Sequence, residues 1–167
     1  PERRNRVKVL MLFDVGGSMD MHIEALEKLF SAAKNEFKTL EFYYFHNCLY
    51  DYVWKNNQRR HAERTPTMEL LQKYGREYRV IFVGDASMSP YELFSVGGSV
   101  EYMNAEAGVV WLKRMLAHFD KVAWLNPEDQ AYWQYTHTIG EIQKLMEGHM
   151  YPMTLHGVEE MTAYLAR

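Results

Sequence analysis

Three strand-sized apolar runs, each halted by glycine, aspartate or asparagine, limit the folds open to this 167-residue chain. Val7-Lys8-Val9-Leu10-Met11-Leu12-Phe13 ends at Asp14, Gly16 and Gly17, Tyr78 to Val83 ends at Gly84-Asp85, and Val122-Ala123-Trp124-Leu125 stops at Asn126-Pro127. Runs without polar alternation belong to strands covered on both faces, the situation of a parallel sheet packed between helices. Helical spacing fills the gaps. Ile23, Leu26, Phe30, Ala33 and Phe37 recur three and four residues apart, as do Val109, Leu112, Leu116 and Phe119, so each set stacks on one helix face.

The remaining segments complete an alternating pattern. Leu40 to Phe45 and Leu49 to Trp54 are separated only by His46, Asn47 and Cys48, which permits a hairpin but no crossover helix. Lys55 to Arg64 is polar and basic and reads as a loop. A short helix from Thr67 to Tyr74 is capped at Gly75. Ala86 to Asn104, with Pro90 and Gly97-Gly98-Ser99, is long for a connector and is expected to be functional or mobile. A helix at Thr138 to Met146, a strand at Tyr151 to Leu155 and a closing helix carrying Val158, Met161 and Leu165 follow. The expected fold is α/β: a doubly wound, mostly parallel six-stranded sheet with one antiparallel edge strand and helices on both faces. No repeat or internal boundary is visible. Residues 1–6 read as a linker remnant, which suggests a domain cut from a longer protein, and 7–167 as a single domain.

Bulk properties exclude several classes. With 47% hydrophobic and 25% charged residues the chain is neither disordered nor fibrous, and no apolar run is long enough to span a bilayer. A formal net charge of −3 argues against general nucleic-acid binding. Cys48 is the sole cysteine, so no intrachain disulfide forms, and the expected compartment is the reducing cytoplasm. Its place in a predicted turn, with no helix N-terminus to activate it, gives Cys48 a structural role. His118, His137, His149 and His156 lack metal-ligand spacing. The eleven methionines are read as adaptable core filling.

Ligands of such a sheet bind beyond the carboxyl ends of its central strands. Asp14 and Asp85 both lie there, each beside glycine. Two buried carboxylates repel one another unless a proton or a cation neutralises them. Ser18 follows Asp14, and Thr65 and Thr67 precede the second helix, so the available donors are all oxygen and suit a hard cation such as Mg²⁺. Asp14 and Ser18 alone would serve equally as helix caps. The full set favours a site.

The run Phe13-Asp14-Val15-Gly16-Gly17-Ser18-Met19 resembles the Asp-x-Ser-x-Ser signature of the metal-ion-dependent adhesion site (MIDAS) in von Willebrand factor A (VWA) domains. The Thr65 region is similar to that site's threonine loop, and Val83-Gly84-Asp85 to its aspartate loop. Trp124-Leu125-Asn126-Pro127-Glu128 and Trp133 add a likeness to the bacterial CoxE-like VWA group. The resemblance implies that Asp14, Ser18, Thr65 and Asp85 hold Mg²⁺ (or Mn²⁺ or Ca²⁺), the hydroxyls directly and the aspartates partly through water. Thr65 is preferred to Thr67 because Leu70 and Leu71 then match the apolar pair of the family's next helix. Gly16 departs from the pattern by replacing the first serine, which leaves either a water-completed site or a vestigial one.

An incompletely coordinated cation offers an open position to an acidic side chain. The expected function is therefore a metal-dependent protein–protein interaction module, not an enzyme, with Met19, Ser87, Tyr91 and Arg64 at the partner surface. Tyr91, Phe94 and Tyr102 are candidates for its rim. The resemblance further implies a partnership with a MoxR-type AAA+ ATPase in protein assembly or remodelling. The basic residues Lys55, Arg59, Arg60, His61 and Arg64 form a solvated loop or favour an acidic partner. Two alternatives stand beside this reading: a structural domain with a dead metal site, and a Mg²⁺-dependent phosphatase using Asp14. The phosphatase architecture normally has a second aspartate two residues on, where this chain has Gly16.

Overall fold

The computed structural model describes residues 7–33, 37–99 and 103–167. The expected linker at 1–6 and Tyr102 lie outside them. Strands β1 (Lys8–Asp14), β2 (Thr39–Phe45), β3 (Tyr52–Trp54), β4 (Arg64–Pro66), β5 (Arg79–Val83), β6 (Lys121–Asn126) and β7 (Met150–Pro152) form one sheet in the order β4-β3-β2-β1-β5-β6-β7. Helices α1 (Ile23–Ala33), α2 (Thr67–Lys73), α3 (Pro90–Phe94), α4 (Gly108–His118), α5 (His137–Leu145) and α6 (Leu155–Ala166) connect them. Neighbours from β2 through β1, β5, β6 and β7 are parallel.

The antiparallel edge contains two strands rather than one, which corrects the expected six-stranded sheet to seven. β3 runs against β2 through the single pair Tyr44↔Trp54, and β4 runs against β3. Arg64-Thr65-Pro66 escaped notice because it is three residues long, polar and closed by proline. An edge strand tolerates proline because one side of it needs no N–H donor. The same strand takes Arg64 out of the predicted loop, and a 3-10 turn at His61–Glu63 precedes it. The hairpin connection is also longer than expected: β3 begins at Tyr52, not Leu49. Two more corrections fall on helices. The long segment after Asp85 contains α3, and Leu155 opens α6 instead of ending β7.

Period-two alternation divides the core. On one face Leu10, Leu12, Tyr43, Phe45, Val53, Phe82 and Trp124 meet Leu70 of α2, Trp111 and Met115 of α4, and Ile139 and Ile142 of α5. On the other, Val9, Met11, Phe13, Ile81, Val83 and Leu125 meet Leu26 of α1 and Met161 and Leu165 of α6. Both sets alternate along the same strands because successive side chains point to opposite faces. Trp124 stacks on Phe82 with centroids 4.9 Å apart and planes 13° from parallel, joining β5 to β6 through side chains as well as backbone. Among the described residues no helix is long and apolar enough to cross a membrane.

Candidate functional site

Phe13 pairs with Val83, so Asp14 stands beside Gly84 and Asp85 follows one residue later. The sheet continues to β2 on one side of this seam and to β6 on the other. Such a reversal of strand order opens a crevice at the carboxyl ends, the usual ligand position in open α/β sheets. Alternation carries Asp14 onto the Leu10 and Leu12 face, and both aspartates are only 3% exposed.

Each carboxylate is held by backbone amides. Gly16 N–H and Asn47 N–H donate to Asp14 Oδ1 at 2.8 and 2.9 Å, and Ser87 N–H donates to Asp85 Oδ1 at 3.2 Å. Asp14 Oδ2 has no hydrogen-bond partner among the described residues. Burial pushes the Asp14 carboxyl up to about 6, and the charges of Asp85 and Glu92 add to that effect. The Gly16 and Asn47 amides oppose it. Gly84 permits the close approach of the strand ends: a Cβ there would lie 2.8 Å from Asp14 Cβ and 3.3 Å from Asp14 Oδ2.

Asp85 sits on a backbone strapped from the neighbouring elements. Trp124 Nε1 donates to Gly84 O at 2.8 Å, Asn126 Nδ2 to Asp85 O at 2.9 Å, and Thr138 Oγ1 to Ala86 O at 2.9 Å. Three successive carbonyls are thus satisfied by buried side chains of β6 and α5. Ala86 itself has a φ of 57°, a conformation alanine rarely adopts unless its surroundings impose it. The polar residues of the Trp124-to-Glu128 segment therefore position the site, a role that their sequence alone did not reveal.

Glu92 is the carboxylate that sequence reasoning missed. It is 7% exposed at the start of α3, with Ser89 N–H donating to Oε1 at 3.1 Å and Asn47 Nδ2 donating to Oε2 at 3.1 Å. Ser89 and Glu92 form a capping box with Pro90 in the first helical turn. The Ser-x-x-Glu spacing was the signal available in the sequence. Tyr50 Oη also donates to Glu92 O at 2.7 Å.

The hydroxyls lie farther from this centre in the hydrogen-bond network. Ser18 is exposed in a 3-10 turn at Gly17–His22, and Thr65 is partly exposed on β4 opposite Val53. Thr67 is fully buried and donates Oγ1–H to Tyr50 O at 2.6 Å. Among the described residues none of the three shares a hydrogen bond with Asp14 or Asp85. Through Tyr50 and Glu92, the network around Asp14 and Asn47 extends to Thr67 and not to Thr65. No group of three or more His, Cys, Asp or Glu side chains converges as a metal cage among the described residues.

Of the expected partner residues, Ser87 is exposed and Tyr91 is 66% exposed. Arg64 covers the Tyr52 ring at 4.2 Å. Met19 is 2% exposed and lines a cleft of about 200 Å³ that opens beside Asp14. Leu26, Asp20, Glu27 and Asn57 also line it, so the Lys55-to-Arg64 loop reaches the site through Asn57. Cys48 is buried, and burial pushes its thiol far above the ordinary range, so the protonated form is favoured there.

Comparison with protein-family models, with curated proteins and with solved structures returned no match. The fold and site define the chain as an α/β domain with two buried aspartates at the central strand ends.

Proposed function

We propose that the chain is a doubly wound VWA-type domain that engages an acidic side chain of a partner protein through a divalent cation. The observation that carries this reading is the pairing of Asp14 and Asp85. Both are buried at one seam of the sheet, and Asp14 Oδ2 has no hydrogen-bond partner among the described residues. Two adjacent buried carboxylates are costly without neutralisation, and a cation supplies it. The donors are oxygen atoms throughout, which suits Mg²⁺ first and Mn²⁺ or Ca²⁺ next.

Asp14 and Asp85 would carry the charge of the site. Ser18, with Thr67 or Thr65, would add neutral oxygens, and water would complete the shell. A cation so held keeps an open coordination position, which a carboxylate from outside can fill in place of water. Tyr91 and Ser87 are exposed on the chain that follows Asp85 and suit contact with the arriving protein. The CoxE-like resemblance suggests a MoxR-type AAA+ ATPase as that protein. A phosphatase reading is disfavoured by Gly16, which stands where that architecture carries a second aspartate as general acid.

The test is titration calorimetry with Mg²⁺ and with Mn²⁺ on the wild-type chain, Asp14→Ala and Asp85→Ala. Binding by the wild type, lost in both variants, supports the reading. A wild type that binds neither ion overturns it.

A further inference from the structure

Gly16 stands where the resembled motif has a serine, and the space that serine would need is filled from another loop. A Cβ added at Gly16 would lie 1.9 Å from Asn47 Oδ1 and 3.1 Å from Asn47 Cγ. No side chain fits at 16 while Asn47 keeps its conformation. That conformation is fixed at several points. Asn47 N–H donates to Asp14 Oδ1, Asn47 Nδ2 donates to Glu92 Oε2, and the backbone φ is 62°, a left-handed value that asparagine tolerates better than most residues. An ionised carboxylate only accepts hydrogen bonds, so the amide nitrogen must be the end facing Glu92. The carboxamide oxygen is left over Gly16, beside the carboxylate of Asp14.

We propose that Asn47 Oδ1 is a ligand of the cation, replacing the hydroxyl that residue 16 lacks. The proposal rests on the cation reading of Asp14 and Asp85. A carboxamide oxygen is an ordinary ligand for hard divalent ions and, like a serine hydroxyl, brings no charge. The exchange therefore leaves the charge balance of the site, and so its room for one acidic side chain, unchanged. Glu92 is a positioning residue: its carboxylate orients the amide and is itself oriented by Ser89 N–H. Gly16 and Asn47 form an exchangeable pair, because a serine at 16 and the carboxamide of 47 compete for one volume.

Asn47→Gly removes the carboxamide but retains the left-handed backbone and the N–H bonded to Asp14. Calorimetry with Mg²⁺ should show binding weakened at least about tenfold in Asn47→Gly, weakened also in Gly16→Ser, and restored close to wild type in the double variant. Wild-type affinity in Asn47→Gly, or a double variant that binds no better than Asn47→Gly, overturns the proposal. Thermal melting in EDTA reads the packing alone: Gly16→Ser should melt below wild type and regain stability when Asn47→Gly is added. Unchanged melting of Gly16→Ser would refute the competition for space. A wild type that binds no cation, with melts behaving as stated, would instead sink the cation reading and the ligand role with it.

Discussion

Asp14→Asn should stabilise the metal-free protein at alkaline pH while removing its response to Mg²⁺. Asparagine is nearly isosteric, and its oxygen can keep accepting from Gly16 N–H and Asn47 N–H. What it loses is a charge held almost wholly out of water beside Asp85 and Glu92. The Asp14 carboxyl ionises near 6 in the folded chain against 3.8 as a reference for the unfolded one. A difference of about two pH units corresponds to about 3 kcal/mol.

The sign follows from proton binding. The folded state holds this proton more tightly, so its stabilising contribution is complete below about pH 4 and is lost as pH rises through about 6. Above that, the wild type carries the full penalty and the asparagine variant does not. Urea denaturation in EDTA should therefore favour Asp14→Asn by up to about 3 kcal/mol at pH 8, by about half as much at pH 5, and by well under 1 kcal/mol at pH 4. For a chain of this size that is a gain of about 6–12 °C in melting temperature at pH 8. Mg²⁺ should reverse the order: at about a thousand times its dissociation constant it would add about 4.1 kcal/mol to the wild type alone, more than the variant's advantage. A variant less stable than wild type at pH 8 in EDTA, or a stability difference that stays constant from pH 8 to pH 4, would refute this account of Asp14.

Two further outcomes follow from the surroundings of the site. Asn126→Ala leaves Asp85 O unpartnered in the interior and should cost about 1–3 kcal/mol by denaturant titration, with weaker Mg²⁺ binding because Asp85 loses its strap. Cys48 should resist a thiol-reactive reagent in the native protein and react at once in denaturant, measured by absorbance at neutral pH, because it is only 2% exposed and burial holds its thiol protonated.

The elements legible in the sequence were those whose burial leaves a mark on residue type. The apolar runs of β1, β5 and β6 gave the sheet's centre, and the residues that halt them gave Asp14 and Asp85 at one seam. The edge was harder to read. β4 is three residues of arginine, threonine and proline, and its pairing with β3 depends on backbone bonds that no side-chain pattern announces. Around the site, glycine at 16 read as the loss of a ligand because its neighbour in space is 31 residues away in the chain. Asn47 gave no sign in a predicted turn, where asparagine is ordinary. Glu92 could have been found, since the capping box marks α3, although nothing local says that its carboxylate turns inward to Asn47. Asn126 and Thr138 act through main-chain oxygens of another strand's loop, a relation without any spacing rule.

The two aspartates are moored to different halves of the molecule. Asp14 takes its hold from the β2–β3 connection, whereas the chain around Asp85 is lashed to β6 and α5. The β1–β5 pairing joins these moorings within the sheet, and the bonds from Asn47 and Tyr50 to Glu92 join them outside it. The position of Asp85 is therefore set from α5 and β6 through main-chain oxygens, none of which belongs to the carboxylate itself.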